Sequence, residues 1–173
     1  MNDPGPNATA KDLKWLRMAI TGGGIFSTCS NRQFMSYIID PDGIEVGAGW
    51  NGVPSGMRHC NDGGCPRSVT LRDVPLGAPG RGPSYDNCLA VHAESNALLH
   101  SDWSRRKGAT IYVGGPPCWE CAKLISNSGI VRVVCREDAE SPGWDKAKAL
   151  LQDAGVTVVE VHGPVADVDL APE

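Results

Sequence analysis

The stretch Ala109-Thr110-Ile111-Tyr112-Val113-Gly114-Gly115-Pro116-Pro117-Cys118-Trp119-Glu120-Cys121-Ala122-Lys123-Leu124-Ile125, running on through Gly129-Ile130 to Arg136, decides the fold. Ala109 to Val113 predicts a strand, stopped by the Gly-Gly-Pro-Pro run. Cys118 to Ser128 predicts a helix, with Pro117 near its first position and Gly129 as its C-cap. Ile130 to Arg136 predicts the next strand. Working outward, Trp144 to Ala154 predicts a helix ended by Gly155, and Val156 to Val161 the last strand. On the other side, His92 to about Ser101 predicts a helix. Helix–strand alternation of this kind implies an α/β fold, a sheet with helices on both faces, and right-handed crossovers between parallel neighbours.

Upstream the pattern changes. Thr9 and Asp12 give a helix-start signal, and Leu13, Leu16 and Ile20 form one apolar face as far as Gly22-Gly23-Gly24. Met35 to Ile39, the turn Pro41-Asp42-Gly43, and Ile44 to Trp50 predict a hairpin. From Asn51 to about Asn87 the chain is irregular and rich in Gly, Pro, Asp and Arg. A loop of that length inside one domain is expected to be pinned or functional. The organisation expected is a tail over 1–9, one domain over 10–163 with the inserted loop at about 51–88, and a tail over 164–173.

The chain of 173 residues carries a net charge of −4. Its one dense basic cluster, Arg105-Arg106-Lys107, reads as a solvated helix end, and the acidity favours a small substrate over a polynucleotide. No apolar run approaches the length of a membrane span. The start, Met1-Asn2-Asp3-Pro4-Gly5-Pro6, lacks a charged-then-apolar leader, so a cytoplasmic location is expected.

Chemistry concentrates in two segments, His92-Ala93-Glu94 and Pro117-Cys118-Trp119-Glu120-Cys121. One histidine and two thiolates, His92, Cys118 and Cys121, make a three-ligand zinc site whose fourth position is open, as a catalytic zinc needs. Cys118 at a helix N-terminus is held as thiolate by the helix dipole. Zn²⁺ with two thiolates is formally neutral, a weaker Lewis acid than an all-histidine site. A carboxylate that accepts the water's proton is therefore more valuable, and Glu94 is placed to be that catalytic group. A closed structural knot would need a fourth ligand and gives Glu94 no purpose. The order H-x-E then P-C-x-x-C is the signature of zinc-dependent nucleobase deaminases.

The sequence resembles the deoxycytidylate deaminase branch of the cytidine deaminase superfamily. The resemblance rests on Cys118-Trp119-Glu120-Cys121-Ala122-Lys123-Leu124-Ile125 with Gly129-Ile130, on His92-Ala93-Glu94-Ser95-Asn96-Ala97, and on Gly49-Trp50-Asn51-Gly52-Val53-Pro54 followed by His59-Cys60. It covers roughly residues 10 to 160. It implies a three-layer α/β/α sandwich around a mixed five-stranded sheet. It implies hydrolysis of dCMP to dUMP and ammonia, by zinc-bound hydroxide attacking C4 with Glu94 as proton shuttle. It further implies a homo-oligomer, often a hexamer, regulated by dCTP and dTTP, with Mg²⁺ expected beside a nucleotide effector.

By the same resemblance Asn51 contacts the nucleotide sugar or base; the alternative is a turn residue, since Asn-Gly favours turns. Arg32 aligns with an arginine that reaches a phosphate, or is a surface residue before a strand. Ala93 offers its backbone N–H to the pyrimidine carbonyl, or only packs its helix. Tyr112 is a stacking platform or a core residue. The departures are Gly114-Gly115 in place of a polar pair, Met35 and Ser36 in place of small residues, Trp103 in place of a basic residue, and Trp119 between the thiolates. They leave open a 5-substituted dCMP, dCTP or free deoxycytidine as substrate. A non-catalytic zinc or nucleotide-binding regulatory module is the remaining alternative.

Five cysteines lie outside the catalytic set. Cys29, Cys60, Cys65 and Cys88 flank or lie in the long loop and form a candidate structural zinc site, with His59 able to replace one of them. Four unpaired thiols are the alternative, and Cys135 reads as a buried core thiol.

Overall fold

The computed structural model describes residues 8–64, 88–138, 141, 143–163 and 165. Helix α1 (Ala10–Phe26) starts at a capping box: Thr9 Oγ1 accepts from Asp12 N, and Asp12 Oδ2 accepts from Thr9 N. The helix runs through Gly22-Gly23-Gly24 instead of stopping there. The reason is packing. A Cβ on Gly22 would come within 2.5 Å of Met35 Sδ, and one on Gly23 within 2.5 Å of Gln33 O. These glycines let the helix press on the entry to the first strand, and that contact outweighs their poor helix propensity.

Strands β1 (Met35–Ile39) and β2 (Glu45–Trp50) form the expected antiparallel hairpin. Helix α2 (Ala93–Leu99) is followed by a short helix that sequence reading missed, α3 (Trp103–Arg106), capped by Asp102. The alternating part follows: β3 (Thr110–Val113), α4 (Trp119–Ser126), β4 (Arg132–Arg136), α5 (Trp144–Asp153) and β5 (Thr157–Val161). Helix α4 ends at Asn127, two residues before Gly129, and Pro117 precedes its cap instead of opening it.

The sheet order is β2-β1-β3-β4-β5. β1 is antiparallel to both neighbours, while β3, β4 and β5 are parallel, which makes the mixed five-stranded sheet that was expected. Ile38, Ile111, Val113, Val133 and Cys135 share a core with Ala97, Ala122, Ile125, Trp144, Ala147 and Leu151 of α2, α4 and α5. On the other face, Ile39, Tyr112, Val134, Val159 and Val161 pack with Leu13 and Leu16 of α1. Burial on both faces explains why β3 and β4 read as continuous apolar runs.

The basic cluster is tied down. Arg105 Nη2 donates to Asp40 Oδ2 at 2.7 Å, and Arg106 Nη1 donates to the Leu98 carbonyl. Of the long loop, residues 51–64 are described. Gly52 pairs with Val91, and Cys60–Asp62 forms a 3-10 turn whose Asn61 N donates to Thr28 O. No helix among the described residues is long and apolar enough to cross a membrane.

Candidate active site

Two helix starts meet in front of the sheet. His92 is the N-cap of α2 and Cys118 the N-cap of α4, both in extended backbone. The two-residue bridge between Gly52 and Val91 fixes the approach to His92. Close seating of α2 depends on Gly49 in β2, where a Cβ would fall 2.2 Å from Ala97 N and 2.7 Å from Ala93 O.

His92 Nδ1 lies 3.3 Å from Cys118 Sγ and 3.5 Å from Cys121 Sγ. A tetrahedral Zn²⁺ at ordinary Zn–N and Zn–S lengths spaces those atoms by about 3.6 Å. The donor set and its dimensions therefore fit zinc, and His92, Cys118 and Cys121 would hold it. Among the described residues this is the one group of three His, Cys, Asp or Glu side chains whose ligand atoms converge. Ser95 Oγ stands 3.7 Å from Cys121 Sγ and supplies an outer hydrogen bond to that sulfur.

The electrostatics suit a cation. A hydrogen bond from the Cys121 thiol, aided by His92, pulls the Cys118 thiol well below its ordinary range; sharing that proton and being buried push Cys121 up. The Cys118 contact favours the protonated His92 ring against burial. A metal ion takes the place of these protons. Glu94, 4% exposed in the first turn of α2, is pushed upward by burial, with the charge of His92 opposing. It stands beside the cluster without belonging to it.

Asn51 is buried and heavily engaged. Its Oδ1 accepts from Ser27 Oγ at 2.6 Å and from Phe34 N at 2.9 Å, and its Nδ2 donates to Arg32 O at 2.6 Å. It clamps the segment 27–34, and among the described residues its second amide hydrogen has no acceptor. Phe34 in turn covers the backbone of Gly115, where a Cβ would meet its ring at 2.9 Å. Gly115 thus makes room for Phe34. Ala93 opens α2, where first-turn N–H groups have no intrahelical acceptor. Arg32 pairs with Asp138 at 3.5 Å.

Tyr112 is not brought to the site. Strand alternation turns Ile111 and Val113 toward the metal side and Tyr112 toward α1, where its hydroxyl donates to Asp12 Oδ1 at 2.9 Å. Cys29, Cys60 and Cys88 do not join a convergent group among the described residues, and Cys65 lies outside them. Cys135 is fully buried, as expected. Sequence reading missed Ser27, Phe34, Ser95 and Asp138. Only Ser95 had a local signal, standing one turn along the helix that His92 opens. Trp119 carries Lys146 Nζ over its ring at 4.2 Å, on the side facing α5.

A three-layer α/β/α sheet with two helix N-termini converging on one imidazole and two thiols defines a zinc-deaminase type of protein. The profile of the cytidine and deoxycytidylate deaminase zinc-binding region matches residues 9–137, and the chain belongs to that family. It is 46% identical over 103 residues to the deoxycytidylate deaminase of Mycobacterium phage D29, covering 60% of this chain and 77% of that one. It is 34% identical over 140 residues to the deoxycytidylate deaminase of Schizosaccharomyces pombe, covering 80% of this chain and 40% of the yeast protein. In fold it is similar to the dCMP deaminase of cyanophage S-TIM5 crystallised with dCMP and dUMP, with a TM-score of 0.62 and 22% identity over 85% of this chain and 93% of that one.

Proposed function

We propose that this chain hydrolyses dCMP to dUMP and ammonia. The observation that carries the reading is the convergence of His92, Cys118 and Cys121 with the buried carboxyl of Glu94 beside them. Zinc, when bound, makes water a competent nucleophile at neutral pH. Glu94 takes one proton of the attacking water and delivers it to ring N3, then takes the second proton from the new hydroxyl on C4 and delivers it to the departing amine. C4 gains the water oxygen, its bond to the amino nitrogen breaks, and ammonia leaves. Burial, which raises the proton affinity of Glu94, suits a group that must both accept and return protons. The first-turn N–H of Ala93 faces the pyrimidine carbonyl. Asn51 offers its remaining amide hydrogen to the sugar, and Arg32 receives the phosphate.

A substrate panel tests this reading: ammonia release from dCMP, 5-methyl-dCMP, dCTP and deoxycytidine at equal concentration. The highest kcat/KM belongs to dCMP. A preference for deoxycytidine contradicts the role of Arg32, and no release from any of the four contradicts the enzyme reading.

A second zinc on Cys29, Cys60, Cys65 and Cys88 belongs to the same proposal. The tie from Asn61 to Thr28 supports it by joining the neighbours of Cys60 and Cys29. Metal analysis is expected to find about two zinc ions per chain, falling by about one in Cys60→Ser. A content of one, unaffected by Cys60→Ser, removes the second site. Assembly into a homo-hexamer and regulation by dCTP and dTTP with Mg²⁺ rest on the family resemblance. Light scattering with and without dCTP and Mg²⁺ tests both.

A further inference from the structure

Arg32 already has an anion beside it. Its Nη1 lies 3.5 Å from Asp138 Oδ2, and both side chains are partly exposed, 39% and 27%. The pair joins two segments that flank the metal-bearing loop. On one side, Asn51 holds the Arg32 carbonyl, and two residues on, Phe34 covers Gly115, three residues before Cys118. On the other, Asp138 follows the C-terminal end of β4. Val113 of β3 pairs in parallel with Cys135 of β4, so Asp138 leaves the sheet at the edge where the chain turns from Val113 toward Cys118.

We propose that Asp138 is a positioning residue, an internal stand-in that holds Arg32 until the phosphate of the substrate displaces it. The inference rests on reading Arg32 as the phosphate contact. A partly exposed carboxylate–guanidinium pair at this distance is weak and easily exchanged. A phosphate monoester near neutral pH carries close to two negative charges and three acceptor oxygens, so it displaces a single carboxylate from a guanidinium. A nucleoside brings no anion, and Arg32 stays with Asp138. The carboxylate thus holds Arg32 near the site when no nucleotide is present, and a bound phosphate has to displace it. Removing it strengthens binding of the monophosphate and leaves the nucleoside alone.

Calorimetric binding of dUMP and deoxyuridine to the zinc-loaded full chain tests this, because product binding needs no turnover. Asp138→Asn is expected to tighten dUMP by about two- to fivefold, with deoxyuridine unmoved. Arg32→Gln is expected to weaken dUMP, and in that background Asp138→Asn adds nothing. Glu137→Gln makes the same change in net charge on the neighbouring carboxylate, which instead meets His162 Nδ1 at 2.5 Å. It is expected to leave dUMP binding within error of the parent. The assignment is overturned if Asp138→Asn leaves dUMP binding unchanged or weaker, if it shifts dUMP and deoxyuridine alike, or if Glu137→Gln tightens dUMP equally. An active deaminase whose dUMP affinity ignores Asp138 sinks this assignment alone. A chain that binds dUMP in an Asp138-dependent way and releases no ammonia from dCMP sinks the catalytic reading alone.

Discussion

Asp12 and Glu94 are buried carboxylates in the first turn of a helix, one on each face of the same sheet. Their exposures are 2% and 4%, and each helix N-terminus favours negative charge. Their surroundings differ. Asp12 accepts from Arg132 Nη1 at 2.7 Å and Nη2 at 2.8 Å, from Tyr112 at 2.9 Å, and from the backbone and hydroxyl of Thr9 at 2.8 Å each. Burial alone would raise its pKa, but these donors outweigh it and hold the carboxyl at about 2. Glu94 is buried more deeply, and that burial outweighs the charge of His92, its own backbone N–H and the Cys121 thiol, so its pKa moves up. Similar exposure in the first turn of a helix thus goes with opposite shifts in proton affinity. The difference lies in depth and in compensation: a saturated carboxylate is a permanent charge that ties α1 to β3 and β4, while an under-compensated one beside a metal cluster can carry protons.

The sharpest way to break this comparison is to empty the saturated side. Asp12→Ala removes the buried acceptor shared by Arg132, Tyr112 and Thr9 and is expected to cost about 3 kcal/mol, or about 6–12 °C in melting temperature, with zinc content unchanged. A loss below 1 kcal/mol in denaturant unfolding would show that the network is not holding α1. A smaller effect is read from acid. The carboxyl of Asp12 titrates at about 2 against an ordinary 3.8. A depressed acid contributes stability that is complete above the ordinary value and lost as pH falls toward 2. The amount is about 2 kcal/mol. Unfolding free energies from pH 5 to pH 2 should drop more steeply by that amount than in Asp12→Asn. Parallel curves would remove the network from the acid response. Smallest is the outer partner of the metal side. Ser95→Ala takes one hydrogen bond from Cys121 and is expected to lower zinc affinity about tenfold in a chelator competition, with folding stability little changed. Unaltered affinity would leave Ser95 a packing residue.

The two sides were also unequally legible in the sequence. His92, Glu94, Cys118 and Cys121 fall in two short segments that open helices, so their meeting follows once those helices lie side by side. The partners of Asp12 stand 100 and 120 residues away, and nothing local announces them. Thr9 and Asp12 read correctly as a capping box, yet that box is also one end of an ion pair crossing from helix to sheet. Tyr112 was ambiguous for a related reason. A strand buried on both faces has no polar alternation to show which residues face the metal. The glycines at 22–24 read as a stop because propensity was the visible signal, whereas contact with Met35 and Gln33 decides the role of Gly22 and Gly23. The helix over Trp103–Arg106 is too short for a periodic pattern. Apart from that helix, the alternation from His92 onward was legible, because helix and strand periods differ and glycines separate them.

The role assigned to Glu94 is tested most directly by measuring ammonia release from dCMP and zinc content together in Glu94→Gln. The glutamine keeps the size of the side chain and removes its capacity to take a proton. Zinc content equal to that of the parent with kcat lower by about 10²–10⁴ is the expected result. Parental turnover in a zinc-replete Glu94→Gln protein would contradict the assignment of Glu94 as the proton carrier.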